Sequence, residues 1–316
     1  MNHQKSIGGY FELELPQRTA YHGTAIALNT GRNCLEYVLR ARGYSRVFVP
    51  YYSCEVLLEP FQKLNVHYSF YHVDERLEIA APMALGPDEA LLYINYYGLK
   101  QDYVNCLAER YGSQLIVDNT QAFYARPVDG VDTFYSCRKF FGVADGAYLY
   151  CNKSLEIELE QELSWEWMGY LMKRIDVSTE SAYEDFCEHE EQLKGNPIRM
   201  MSSLTYRIMD SIDYQGVAQS RRDNFRLLDE ALKDKNRISL PLVDTAVPMV
   251  YPFLAEDAEL RNRLISNKVY VAKYWPNVLQ WCDKGSIDFK LTCNLLPLPI
   301  DQRYGTKEMQ RIIELI

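Results

Sequence analysis

Two hydrophobic periods trade places along the first half of the chain. From about residue 32 to residue 150, stretches with an apolar residue every three or four positions give way to short β-branched or continuously apolar runs. That alternation is the pattern of parallel strands joined by crossover helices. Residues 33–42 read as a helix, 46–50 (RVFVP) as a short strand ending in proline, and 55–64 as apolar at helical spacing. Residues 67–73 (HYSFYHV) alternate like a strand, and 90–95 (ALLYIN) form another. An amphipathic helix is predicted over 102–111, and a buried strand over 114–117 (QLIV) delivers Asp118 to its C-terminal end. Two further strands, 133–136 and 147–151, flank the segment CRKFFGVADG.

Beyond Cys151 the pattern changes to long, charged, helical stretches up to about Gly195, broken by the loop KGNPIRM. Residues 203–233 read as one or two long helices with Arg221, Arg222 and Arg226 on a solvated face. Strands are expected near 247–254 and 269–271, and a last helix from about Thr306. The expected class is therefore α/β: a large domain over residues 1–225 with a mixed, mostly parallel sheet, and a small α+β domain over 226–316.

Composition narrows the function. With 47% hydrophobic residues among 316, the chain is long enough to bury one large core and a smaller one. A net charge of -9 argues against nucleic acid or an anionic membrane as the main partner. The N-terminus has no apolar run of signal-peptide length, and no run long enough to span a bilayer occurs, so a cytosolic protein is expected. The cysteines (Cys34, Cys54, Cys106, Cys137, Cys151, Cys187, Cys282, Cys293) contain no CxxC pair and read as reduced thiols. His3, His22, His67, His72 and His189 show no metal-ligand spacing.

In an open parallel sheet, ligands sit beyond the carboxyl ends of the strands, so polar residues after strand patterns are the first candidates. Three such places occur in order. In LNTGRNCLEYVL, Thr30, Gly31, Arg32 and Asn33 precede a helix whose free N–H groups favour an anion such as phosphate; taken alone the stretch reads more readily as a helix cap with a glycine turn. In LIVDNTQAF, Asp118 ends a buried strand and Gln121 follows three residues later. A carboxylate there can keep a pyridine nitrogen protonated. In FYSCRKFFGVADGAYLY, Ser136 precedes Lys139 by three residues and Gly146 follows. A lysine near another cation, here Arg138, or desolvated by Phe140 and Phe141, loses proton affinity and becomes a nucleophile.

That order and spacing resembles the DegT/StrS-type sugar aminotransferase family of the aspartate aminotransferase-like fold type I. VFVPYYSCEVLLEPF, INYYGLKQD and GNPIRMMSSL are similar to further family segments. The resemblance implies that Lys139 holds pyridoxal 5'-phosphate as a Schiff base. It also implies that Asp118 contacts the ring nitrogen, that Gln121 contacts the ring hydroxyl, and that Thr30, Gly31, Arg32 and Ser136 hold the phosphate. Asn196 or Arg199 would reach the phosphate of a neighbouring subunit in a homodimer. The family's ring-stacking aromatic falls near Cys54, which leaves the adjacent Tyr52 (or Tyr51) as the candidate. A keto-sugar nucleotide as acceptor and glutamate or glutamine as amino donor are implied in the same way, in surface polysaccharide or amino-sugar biosynthesis.

Three other readings compete. Ser136 and Lys139 formally match the S-x-x-K of serine acyl-enzymes, but neither S-D-N nor K-T-G occurs in the chain. A fold type I scaffold without turnover, or a sugar dehydratase or lyase using the same cofactor, fits the same residues. A dinucleotide enzyme is disfavoured because no G-x-G-x-x-G follows a strand.

Overall fold

The computed structural model describes residues 7–316, so His3 lies outside the described residues. Among the described residues nine strands and eleven α-helices follow one another as β1 (Ile26–Leu28), α1 (Gly31–Arg42), β2 (Arg46–Pro50), α2 (Glu59–Leu64), β3 (His67–Tyr71), β4 (Glu89–Ile94), α3 (Gln101–Tyr111), β5 (Leu115–Asn119), β6 (Asp132–Ser136), β7 (Ala147–Tyr150), α4 (Gly169–Asp176), α5 (Tyr183–Gln192), α6 (Ser203–Met209), α7 (Tyr214–Leu232), β8 (Val250–Leu254), α8 (Leu260–Ser266), α9 (Val278–Trp281), α10 (Ile287–Asn294), β9 (Leu295–Pro299) and α11 (Thr306–Glu314).

Strands β1 to β7 form one sheet in the order β1-β7-β6-β5-β4-β2-β3. All are parallel except β7, which runs against both β6 and β1. Every residue of β5 and β6 is buried, as expected of central parallel strands covered on both faces. The reversal from β6 to β7 places the segment 137–146 at the C-terminal edge of the sheet, beside the end of β5. Its base is closed by the Cys137 amide donating to the Gly146 carbonyl at 3.0 Å. Gly146 has φ +111°, and a Cβ there would lie 2.8 Å from Thr205 Cγ2. No other residue type fits both the conformation and the space.

A second apolar core gathers Phe225, Leu228 and Leu232 of α7 with Tyr251 and Phe253 of β8, Leu296 and Leu298 of β9, and residues of α8 and α11. Strands β8 and β9 pair antiparallel, with Pro252 opposite Pro297. Each strand has only one partner, so a missing N–H faces no ladder.

The structure departs from the sequence pattern in four places. Residues 155–164, expected to be helical, are extended: Glu162 N and Met200 N exchange bonds with Met200 O and Glu160 O at 2.9 Å each. The LEIELE alternation has a strand's period but only an isolated bridge as partner. Residues 269–271 form no strand. Val269 and Val271 are buried in the second core while the Val269 amide bonds back to Leu264 O at 2.9 Å, so the alternation reflects packing without a ladder. The short strands β1 and β9 are absent from the sequence expectation. Arg221, expected on a solvated face, is 1% exposed. Among the described residues no helix is long and apolar enough to cross a membrane.

Candidate functional site

The site is assembled from the C-terminal ends of β5 and β6 and the N-terminus of α1. Thr30 caps that helix, its extended backbone allowing Oγ1 to accept from Asn33 N at 3.2 Å. Helix geometry then leaves the Gly31 and Arg32 N–H groups without intrahelical partners, at the positive end of the dipole. A Cβ on Gly31 would lie 3.1 Å from Thr120 Cγ2, so glycine permits the close approach of the helix to the end of β5. The Arg32 guanidinium bonds Glu59 at 2.6 Å and Leu193 O at 3.3 Å through Nη1, so its charge is matched by a carboxylate.

Strand register sets the rest. Asp118 pairs with Phe134 across β5 and β6, and Phe134 lies 3.9 Å from where a Gly31 Cβ would stand. Asp118, Phe134 and, two residues on, Ser136 therefore share the α1 face. The buried Asp118 carboxylate accepts from Thr120 N at 2.8 Å, and the Lys139 ammonium donates to Thr120 Oγ1 at 3.1 Å. Burial pushes the Asp118 carboxyl above its ordinary value, while the Lys139 charge and the Thr120 hydrogen bonds pull it back. Amine and carboxylate thus meet at Thr120, a residue the sequence reading passed over although it stands between the two it singled out. Lys139 bonds Thr120 rather than Ser136, so the pair required by the S-x-x-K reading does not form.

Gln121 is buried, and its Oε1 accepts from Tyr97 N at 3.0 Å, which fixes the amide and leaves Nε2 as its donor end. Arg138 does not act as a free cation beside Lys139, because its guanidinium pairs with Glu190. The loop is held from several directions. Asp145 accepts from Ser202 N at 2.8 Å and Ser202 Oγ at 2.7 Å, and also from Thr205. His189 contacts Ala144 O at 2.6 Å. Gln302 Nε2 donates to Phe140 O at 2.8 Å, and Arg221 orients Gln302 through Oε1 at 3.1 Å. Arg221 also stacks 4.5 Å from the centroid of the Phe140 ring and donates to Met249 O at 2.9 Å.

Tyr52 has no exposed surface. Its hydroxyl meets Tyr97 OH at 3.0 Å and its ring packs edge-on against Trp275 at 4.7 Å, so no face is open to a ligand. Tyr51 is stacked on Phe70 and His72 at 4.6 and 4.5 Å. The loop 195–199 lies beside the α1 N-terminus of its own chain. Asn29 and Asn33 both donate to Pro197 O, at 3.1 and 2.8 Å, and Asn29 N donates to Arg199 O at 3.0 Å. Asn196 is half-buried. The Arg199 charge is matched by Glu162 at 3.1 Å.

The donor set suits pyridoxal phosphate: amides and a hydroxyl for a phosphate, a buried carboxylate for a ring nitrogen, an amide for a ring hydroxyl, and a primary amine. Among the described residues no cluster of metal-binding side chains occurs.

No family model matches the chain, and no curated protein does. Solved structures do. A DegT DnrJ EryC1 StrS aminotransferase from Brucella abortus is 16% identical with a TM-score of 0.62, covering 93% of this chain and 86% of that one. DesV of S. venezuelae, solved in complex with a ketimine intermediate, is 18% identical with a TM-score of 0.63, covering 92% and 83%. A putative sugar aminotransferase from Streptococcus pneumoniae in its PMP form is 15% identical with a TM-score of 0.62, covering 93% and 88%. At these identities the likeness establishes the fold: this chain has the fold type I architecture of the DegT/StrS-type sugar aminotransferases.

Proposed function

We propose that, on this fold, the chain works as a pyridoxal-phosphate-dependent aminotransferase acting on a keto-sugar nucleotide, with glutamate or glutamine as amino donor. The observation that carries the reading is the meeting of the Lys139 amine and the Asp118 carboxylate at Thr120, beside a helix N-terminus with free amides. Bound pyridoxal phosphate supplies an electrophilic carbon for amine exchange and a ring that takes up the electron pair of the donor's α-carbon. Gly31 and Arg32 amides and the Ser136 hydroxyl would hold the phosphate, and Gln121 Nε2 would face the ring hydroxyl. Asp118 keeps the ring nitrogen protonated, which is what makes the ring an electron sink. Lys139 would hold the cofactor and would be the group placed to take and return the proton at the donor's α-carbon. Thr120 sets where that amine sits; holding amine and reacting carbon together as a whole, through the phosphate anchor, is worth about 7 to 11 kcal/mol of barrier, of which this one hydrogen bond supplies a small part.

The sugar assignment draws on the neighbours, one of which, DesI, was solved in the presence of its TDP-sugar product. A homodimer with shared sites, a cytoplasmic location, and a place in polysaccharide or amino-sugar synthesis complete the proposal. One observation favours a second reading, a cofactor-binding scaffold without turnover: the closed Tyr52 offers no stacking face. Conversion of the loaded protein to its amino form by glutamate or glutamine separates the two.

The test is borohydride trapping of the protein with pyridoxal phosphate, followed by peptide mass spectrometry. Reductive labelling should fall on Lys139 and vanish in Lys139→Ala. A label on another residue, or one retained in that variant, refutes the assignment.

A further inference from the structure

On the face of the large sheet opposite α1, a concavity of about 620 Å³ opens between the segment before β1, the loop after β5, the start of α7 and the stretch before β8. Tyr135, whose side chain alternates with those of Phe134 and Ser136, points to this face and packs 4.3 Å from His22, the neighbour of Tyr21. The wall is unusual for so acidic a chain. Arg18, Arg126 and Arg222 line it, drawn from three remote stretches, against the single carboxylate of Asp213. That carboxylate stands 4.0 Å from Arg18 and also caps α7 through Gly216 N at 3.2 Å. Arg126 lies 5.3 Å from the centroid of the Tyr21 ring, and Arg222 is aimed by its Nε bond to Ala246 O at 2.9 Å; neither makes an ion pair among the described residues.

The tyrosines supply surfaces rather than hydrogen bonds. Tyr21 OH donates to Tyr124 O at 2.9 Å and Tyr124 OH donates to Tyr214 O at 3.1 Å, so both hydroxyls already have acceptors and their rings remain as walls. Burial raises the Tyr21 phenol above its ordinary value while the charges of Arg126 and Arg222 oppose the shift. Three guanidiniums facing one carboxylate leave a net positive wall, and a bound anion offsets that excess charge. Guanidinium forks match phosphate oxygens in pairs, and several can share one phosphate. The volume falls in the range of about 300–1,000 Å³ usual for small-molecule sites.

We propose that this concavity is a second binding site, for a phosphorylated small molecule whose phosphate is held by Arg18, Arg126 and Arg222 and whose organic part lies against Tyr21 and Tyr124. It is separate from the α1 cradle and does not depend on the catalytic reading.

Calorimetric titration of the full chain, saturated with pyridoxal phosphate, with inorganic pyrophosphate tests it. Saturable binding is expected, weakened at least about tenfold in Arg126→Glu and in Arg18→Glu, less in Arg126→Lys, and unchanged in Ser136→Ala on the opposite face. Circular dichroism of each variant confirms folding, and both reversed arginines are solvent-accessible. Absence of saturable binding overturns the proposal, as does glutarate binding as tightly as pyrophosphate, or binding that survives both reversals and is lost with Ser136→Ala. If the chain takes up no pyridoxal phosphate, the same titration of the unloaded protein still decides, because the Ser136 and Arg126 variants report on different faces.

Discussion

Backbone amides make the α1 face of the sheet attractive to an anion, whereas guanidiniums do so on the opposite face. The amides come from consecutive residues, Gly31 and Arg32, and the nearby side-chain charges of Arg32 and Arg138 are matched by Glu59 and Glu190. The guanidiniums come from residues 18, 126 and 222 and are mostly unmatched. A cradle of amides is fixed in place and nearly independent of pH and salt. One built of exposed side chains is adjustable and screened by salt. The first arrangement suits a resident cofactor, the second an exchanging ligand.

The sharpest division between the faces is chemical. Lys139→Ala should lower turnover by about 10²- to 10⁴-fold, the usual worth of a positioned acid–base group. Steady-state kinetics with an amino donor reads it, and a variant that keeps near-full turnover removes the distinction between a reacting face and a binding one.

The faces should also respond oppositely to acid. Burial lowers His22 from 6.5 to about 4. A depressed histidine leaves the folded state neutral, so its stabilising effect is present above pH 6.5 and lost as pH falls toward 4, by up to about 3 kcal/mol. Asp118, raised by burial, has the other sign: its contribution is greatest below the ordinary aspartate range and is lost as pH rises through its raised value. Denaturant unfolding against pH should show the His22 slope flattened in His22→Gln, and Asp118→Asn should remove the opposing trend. Equal slopes in wild type and His22→Gln would contradict the burial argument.

Smaller effects lie in the supports. Gly146→Ala should destabilise by about 1–3 kcal/mol, measurable as a lower denaturation midpoint, because the φ and the 2.8 Å approach to Thr205 both disfavour a Cβ. Thr120→Val should cost about 0.5–1.5 kcal/mol in kcat, roughly two- to tenfold, with Thr120→Ser restoring it, since only the hydroxyl is needed by Lys139. If serine fails to rescue, the methyl packed on Gly31 matters more than the hydrogen bond.

The two faces were not equally legible. Central parallel strands such as β5 and β6 are continuous apolar runs, and the residues at their ends follow in chain order, so Asp118, Ser136 and Lys139 stood out, as did the cap at Thr30. Thr120 lay between them without a signal of its own, because a threonine after an aspartate reads as a turn. The arginine concavity had no local pattern at all: Arg221 and Arg222 are adjacent, yet one is sealed in the interior and the other lines the opening. A helix assigned only by periodicity could not separate them. Residues 269–271 misled for the converse reason, since alternation reports which side chains are covered and not whether a neighbouring strand exists to pair with; residues 155–164 misled because their many charges read as a helix although LEIELE alternates.

Gln302 grips the Phe140 carbonyl, one residue from the amine at 139, and takes its own orientation from Arg221, which is also anchored to Pro248 and Met249. Any hinge movement of the C-terminal unit about α7 must either break this tether or drag the lysine segment with it. The chain of bonds from Arg221 through Gln302 to Phe140 O thus ties α7 and the segment after β9 to the loop that carries Lys139 through a single peptide oxygen.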